Sequence, residues 1–141
     1  MGILQLERIL VPIDGSECAF AAASYAIGTA QKFGPDLMLV HVSEVDHNLK
    51  LLGIYGAPYP DKIAEHVKTA KNSSQPWYEK ISREALGASA RVASKKVLDS
   101  PMSVVGVIVN HAMDSQADLI VIGSRCLTGF KKLLMGRLPL E

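Results

Sequence analysis

The chain has 141 residues, 48% of them hydrophobic, with fifteen Lys and Arg against fourteen Asp and Glu for a net charge of +1. That length and apolar content suffice for one compact domain with a real core, and the balanced charge removes the usual electrostatic case for nucleic acid or an anionic membrane as partner. No apolar run is long enough to span a bilayer.

The amino end, Met1 to Arg8, lacks the basic, apolar and small-residue succession of a secretory leader. Arg8 to Ile13 is a short run rich in branched side chains and reads as a buried strand. Pro12 sits near its carboxyl end, where a missing ladder donor costs least. Asp14-Gly15-Ser16-Glu17 breaks the run, and either Asp14 or Ser16 can cap the helix that follows. From Cys18 to Phe33, Phe20, Ala23, Ile27 and Ala30 fall at helical spacing, and Gly34-Pro35 ends the helix. Leu37 to Val42 is the second strand, which completes a right-handed βαβ unit.

Residues 46–62 carry Gly53, Gly56, Pro58 and Pro60 and read as a mobile flap. Asp61 to Leu86 reads as helix, with a break or restart expected at Pro76 and Ser73 or Ser74 as a cap. Trp77 and Tyr78 are expected to anchor it to the sheet. Residues 91–98 suit an edge strand, because lysines there discourage unwanted pairing. Ser100-Pro101 is taken as a helix start, with Val104, Val105, Ile108, Val109 and Ala112 at helical spacing through Ser115. Leu119 to Ile122 is the fourth strand and runs into Gly123. The tail from Ser124 to Glu141 is read as a loop holding Gly129 and Gly136.

This alternation predicts an α/β domain over residues 1–141 with a doubly wound, mostly parallel sheet. Ligands of such folds bind beyond the carboxyl ends of the strands, where the strand order reverses. With the first strand central, the ends of strands one and four flank that crevice, which brings Asp14 and the Gly123 turn to it.

The phrases Ile9-Leu10-Val11-Pro12-Ile13-Asp14-Gly15-Ser16, Leu39-Val40-His41-Val42 and Ala117-Asp118-Leu119-Ile120-Val121-Ile122-Gly123-Ser124 together resemble the universal stress protein family. So does Leu127-Thr128-Gly129-Phe130-Lys131-Lys132-Leu133-Leu134. The resemblance is to the nucleotide-binding branch and reaches about residue 136. It implies a Rossmann-like fold of the adenine nucleotide alpha hydrolase type, and a regulatory protein that binds ATP or another adenine nucleotide, with Mg accompanying the phosphates. The implied ligand contacts are Pro12, Ile13, Asp14, Val42, Gly123, Arg125, Cys126, Gly136 and Arg137. Asp14 would stand near the adenosine end, the backbone of Val42 against the adenine edge, and Gly123 and Gly136 along the ribose and phosphate path.

The chain departs from the family pattern in three places. Cys126 replaces its second glycine, where a β-carbon costs about 1 kcal/mol or more if φ is positive. Arg137 replaces a Ser or Thr, exchanging a hydroxyl for a guanidinium that can itself meet phosphate. The family's usual last helix and strand are expected to be missing, since the sequence ends at Leu138-Pro139-Leu140-Glu141. The expectation is a shortened or frameshifted member, with Leu140-Glu141 an appended scar.

Several residues carry a plainer meaning. Ser16 suits a cap better than a nucleophile, and His41 suits a satisfied core histidine. His47, His66 and His111 lack metal-ligand spacing. Cys18 and Cys126 form neither a disulfide framework nor a metal knuckle, which fits the cytoplasm. Phosphoryl transfer would need a metal-holding carboxylate and a group that positions the nucleophile. The Walker pattern is absent, so the expectation is a binding protein rather than an enzyme. The alternative is a stress-induced dimer or interaction module that does not bind nucleotide. Many relatives form homodimers, but with the usual last strand expected to be missing the mode of pairing is open: a dimer joined through the bare edge of the fourth strand, or a monomer prone to aggregation.

Overall fold

The computed structural model describes residues 5–44, 60–100 and 103–124. Its elements run β1 (Arg8–Pro12), α1 (Glu17–Phe33), β2 (Asp36–Glu44), α2 (Pro60–Gly87), β3 (Arg91–Ser100), α3 (Val104–Asp114) and β4 (Leu119–Ile120). The strands form one parallel sheet in the order β3-β2-β1-β4. Strand order therefore reverses between β1 and β4, as the alternation of elements predicts.

Helices cover both faces. Ile9, Val11, Ile13, Leu37 and Leu39 point to one face and pack with Ala23, Ala26 and Ile27 of α1 and with Tyr78, Ile81 and Ala85 of α2. Leu10, Met38 and Val40 point to the other face and meet Ile108 and Ala112 of α3. Successive strand residues serve opposite cores, so the strands read as nearly continuous apolar runs.

Local chemistry sets the ends of the helices. The Ser16 hydroxyl accepts from the Ala19 amide at 3.2 Å and caps α1. Gly34, at φ 84°, ends that helix in the left-handed conformation and donates to the Ala30 carbonyl. The cap of α3 is Ser103, which accepts from Gly106, and Ser100 instead closes β3. The helix thus starts later than Ser100-Pro101 implies, because β2 keeps pairing with β3 through Glu44 and Ser100. Pro101 lies outside the described residues.

Helix α2 also departs from expectation. It runs unbroken through Pro76 for 28 residues, roughly 42 Å at the α-helical rise. A proline inside a helix costs about 3 kcal/mol. Tertiary packing just beyond it offsets this: Tyr78 and Ile81 are buried, and the Tyr78 hydroxyl donates to the Lys96 carbonyl at 2.6 Å. Ser74 does not cap a second helix; its buried hydroxyl donates back to the Lys71 carbonyl. Trp77 and Tyr78 anchor α2 as expected.

The two sheet edges differ. Strand β3 places exposed Arg91, Lys95 and Lys96 on its edge, and a register shift at Leu37/Met38 leaves Ala93 as an extra residue, which together discourage further pairing. Beside β4 stand the exposed apolar side chains Tyr25, Val109, Met113 and Leu119. Of the flap expected over residues 46–62, residues 46–59 lie outside the described set, while residues 60–62 are not loop but the first turn of α2, which begins at Pro60. The tail from residue 125, including the question of a last helix and strand, also lies outside it. Among the described residues, no helix is long and apolar enough to cross a membrane.

Candidate functional site

Both ladders of β1 stop at the same level, and the backbone shows why. In a parallel ladder alternate residues turn their N–H and C=O to alternate neighbours. The Leu10 carbonyl accepts from Val121 of the β4 segment at 3.0 Å, so Pro12 is the next residue to face that side. Pro12 has no N–H to give, and the β1–β4 pairing ends at Leu10 and Ile120. The fourth strand is accordingly shorter than the apolar run 119–122.

On the other side, the Ile13 amide donates to the Val40 carbonyl at 2.8 Å. Continued pairing would bring the Val42 amide to the Ile13 carbonyl. Instead, Nδ1 of His41 stands 2.9 Å from that carbonyl. A carbonyl only accepts, so Nδ1 carries the proton and donates. Val42, two residues beyond Val40 on the same strand, turns its N–H and C=O to the side where β1 has ended.

The turn after β1 is fixed as tightly. Oδ1 of Asp14 accepts from the Ser16 amide at 3.0 Å and from the Ser16 hydroxyl at 2.6 Å. Ser16 in turn caps α1, so the carboxylate is held at the amino end of a helix, where the helix dipole favours negative charge. Both bonds use Oδ1, and Oδ2 makes none among the described residues. Gly15 has φ +84°, and Trp77 of α2 lies against it. The indole also meets the His41 ring edge-to-face, with centroids 5.1 Å apart and planes at 88°, a favourable aromatic geometry.

A small recess of about 10 Å³ opens here, bounded by Pro12, Ile13, Asp14, His41, Val42 and the α3 side chains Val104 and Ile108. The structure therefore brings together four residues expected at the site: Pro12, Ile13, Asp14 and Val42. Gly123 lines a separate groove of about 450 Å³ with Cys18 and Tyr25 of α1. Arg125, Cys126, Gly136 and Arg137 lie outside the described residues. A hollow of about 710 Å³ lies at the amino ends of β1 and β2 around Arg8, Phe33 and Asp36, the end of a parallel sheet where ligands do not normally bind. Among the described residues, no three or more His, Cys, Asp or Glu gather as metal ligands.

Sequence reasoning treated His41 as a satisfied core histidine; its Nδ1 is satisfied, but the side chain is half-buried at the rim of the core and not inside it. That reasoning did not see that the partner of His41 is the carbonyl at the end of β1. Nor did it join Trp77 to that turn, because 36 residues separate Trp77 from His41.

A model of the Universal stress protein family matches residues 5–139. The chain belongs to the universal stress protein family. Universal stress protein YxiE of Bacillus subtilis is 29% identical over 139 residues, covering 92% of this chain and 86% of that one. A universal stress protein of Methanocaldococcus jannaschii is 26% identical over 130 residues, covering 92% and 71%. Among solved structures, a universal stress protein family member from Burkholderia pseudomallei superposes with a TM-score of 0.67 at 18% identity, covering 94% of this chain and 89% of that one. The universal stress protein from Archaeoglobus fulgidus in complex with dAMP gives 0.59 at 19% identity, with coverage of 95% and 93%. A universal stress protein in complex with cAMP gives 0.59 at 18%, with coverage of 96% and 86%. These structural likenesses establish the fold of the adenine nucleotide alpha hydrolase type that the universal stress proteins share.

Proposed function

We propose that this universal stress protein binds an adenine nucleotide at the carboxyl end of β1 and works as a regulatory binding protein, not an enzyme. The observation that carries the reading is the backbone of Val42, whose N–H and C=O face the crevice just past the end of β1. One donor and one acceptor side by side suit the edge of a purine base. Asp14 adds a carboxylate that can accept from ribose hydroxyls. The recess has room for about one water, so the base would lie on its rim against Val42 and Asp14. Family membership and the dAMP and cAMP complexes of distant relatives support the same chemistry. The phosphates, with any Mg2+ they carry, would extend toward the Gly123 turn and the segment bearing Arg125, Cys126, Gly136 and Arg137.

The test is to denature the purified protein, identify released nucleotide by mass spectrometry, and titrate ATP into the stripped protein by calorimetry. Co-purified nucleotide or micromolar binding is expected. An empty protein that ignores millimolar ATP would overturn the reading.

The apolar side chains at the β4 edge favour a second reading, in which the protein acts as a homodimer or interaction module through that edge. Grooves of about 380 and 450 Å³ flank β4, one lined by Val109, Met113 and Leu119, the other by Tyr25 and Val121. They give a partner strand or helix apolar surface to bury.

A further inference from the structure

We infer that His41 is a positioning residue, which keeps the Val42 amide available to a ligand by taking its place on the Ile13 carbonyl. The Ile13 amide already bonds Val40 at 2.8 Å, so Ile13 and Val42 stand where the next rung of the ladder would close. The imidazole intercepts that rung: Nδ1 donates to the Ile13 carbonyl at 2.9 Å, and the backbone bond from Val42 is not made. Trp77 holds the ring for this task, standing edge-to-face to it at 5.1 Å. The indole can come so close only because Gly15 has no β-carbon, since one there would lie 2.5 Å from Cζ2 of Trp77. Ile13, His41, Trp77 and Gly15 thus form one packed set behind Asp14 and Val42, on the face of the sheet opposite α3. The inference rests on adenine-nucleotide binding at this site and names the residue that prepares the site for it.

Removing the imidazole lets the ladder close by one bond. His41→Leu leaves the Ile13 carbonyl without its donor, and the Val42 amide is the nearest replacement. His41→Asn keeps an N–H close to the position of Nδ1. The experiment pairs ATP calorimetry with amide hydrogen exchange of Val42, read by NMR, on the full chain and both variants.

The expected result has three parts. In the unmodified protein the Val42 amide exchanges readily and becomes protected when ATP binds. In His41→Leu it is protected without ATP, and affinity falls about tenfold, the weight of one hydrogen bond to a ligand. In His41→Asn affinity stays within about twofold. A merely structural role for His41 would instead lower the melting temperature and the fraction of protein competent to bind, leaving Kd and Val42 exchange unchanged in the folded remainder. Equal ATP affinity and equal Val42 exchange in all three proteins would overturn the inference and leave nucleotide binding standing. Failure of the unmodified protein to bind ATP would overturn both. If His41→Leu does not fold, the exchange rate of Val42 in the unmodified protein decides: protection without ATP overturns the inference.

Discussion

Trp77 fills the space that a β-carbon on Gly15 would need, with Cζ2 at 2.5 Å and Cε2 at 2.6 Å from that position. This contact ties the middle of α2 to the turn that carries Asp14, across 62 residues of sequence. Gly15 therefore serves two needs at once: its φ of +84° suits glycine, and its missing side chain admits the indole. Gly15→Ala is expected to destabilise the fold by about 2–4 kcal/mol, combining left-handed backbone strain with overpacking. Urea unfolding measures the loss. Because Trp77 is the single tryptophan, a red-shifted emission in the variant would report the displaced indole directly.

Tyr78 ties α2 to β3. Its hydroxyl donates to the Lys96 carbonyl at 2.6 Å, and burial pushes its pKa well above 10, partly opposed by a hydrogen bond from the His41 backbone. Tyr78→Phe removes the donor and leaves the carbonyl without it, at an expected cost of about 1–2 kcal/mol. An unchanged denaturation midpoint would show that water replaces the hydroxyl at no cost.

Asp118 staples β4 to the start of β1, accepting from the amides of Glu7 at 2.8 Å and Arg8 at 3.0 Å. These bonds hold its carboxyl pKa below the usual value near 3.8. A depressed carboxylate contributes stability above its unfolded pKa and loses it as pH falls through the folded value. The loss from this group is therefore expected below about pH 4. Asp118→Asn should be less stable than the parent at pH 7, with the two curves converging as the medium is made more acidic. Parallel curves across that range would refute the assignment.

His111, in the last turn of α3, behaves in the opposite sense to a histidine that gains a carboxylate partner. Burial, helped by the charge of Lys96 and opposed by Asp114, lowers its pKa from 6.5. The unfolded chain then takes up the proton first as pH falls through 6.5, so stability is full above that pH and declines below it until the folded group also titrates. His111→Gln is expected to flatten the stability profile just below pH 6.5. Thermal melts in steps of half a pH unit would reveal a slope that survives the substitution and so belongs elsewhere.

Leu119 tests the β4 edge as an association surface. It is 38% exposed on a strand flanked by two apolar grooves. A lysine there would copy the device that β3 uses on the opposite edge. Sedimentation velocity should show concentration-dependent association in the parent and a monomer in Leu119→Lys. A parent that sediments as a monomer at every concentration would remove the dimer reading.

The sequence by itself determined the sheet, the sites of its turns and the family. Short branched apolar runs bounded by turn residues suit buried strands, their alternation with helices suits parallel connections, and Asp14-Gly15-Ser16 carries its cap chemistry locally. The sequence also placed Pro12 near the end of its strand, but that its missing N–H stops the β1–β4 ladder at Ile120, short of the apolar run 119–122, is seen only in the structure. Only the tertiary structure decided what depends on groups far apart in the chain. Pro76 reads as a break, yet α2 runs through it because Tyr78 and Ile81 are buried just beyond. Ser100-Pro101 reads as a helix start, yet β2 holds Ser100 in the sheet. His41 reads as a core histidine, and nothing in its neighbours tells that its partner is Ile13 or that Trp77 steadies its ring. Propensity and spacing act over a few residues, whereas these outcomes rest on hydrogen bonds and packing between segments that meet only when the sheet has formed.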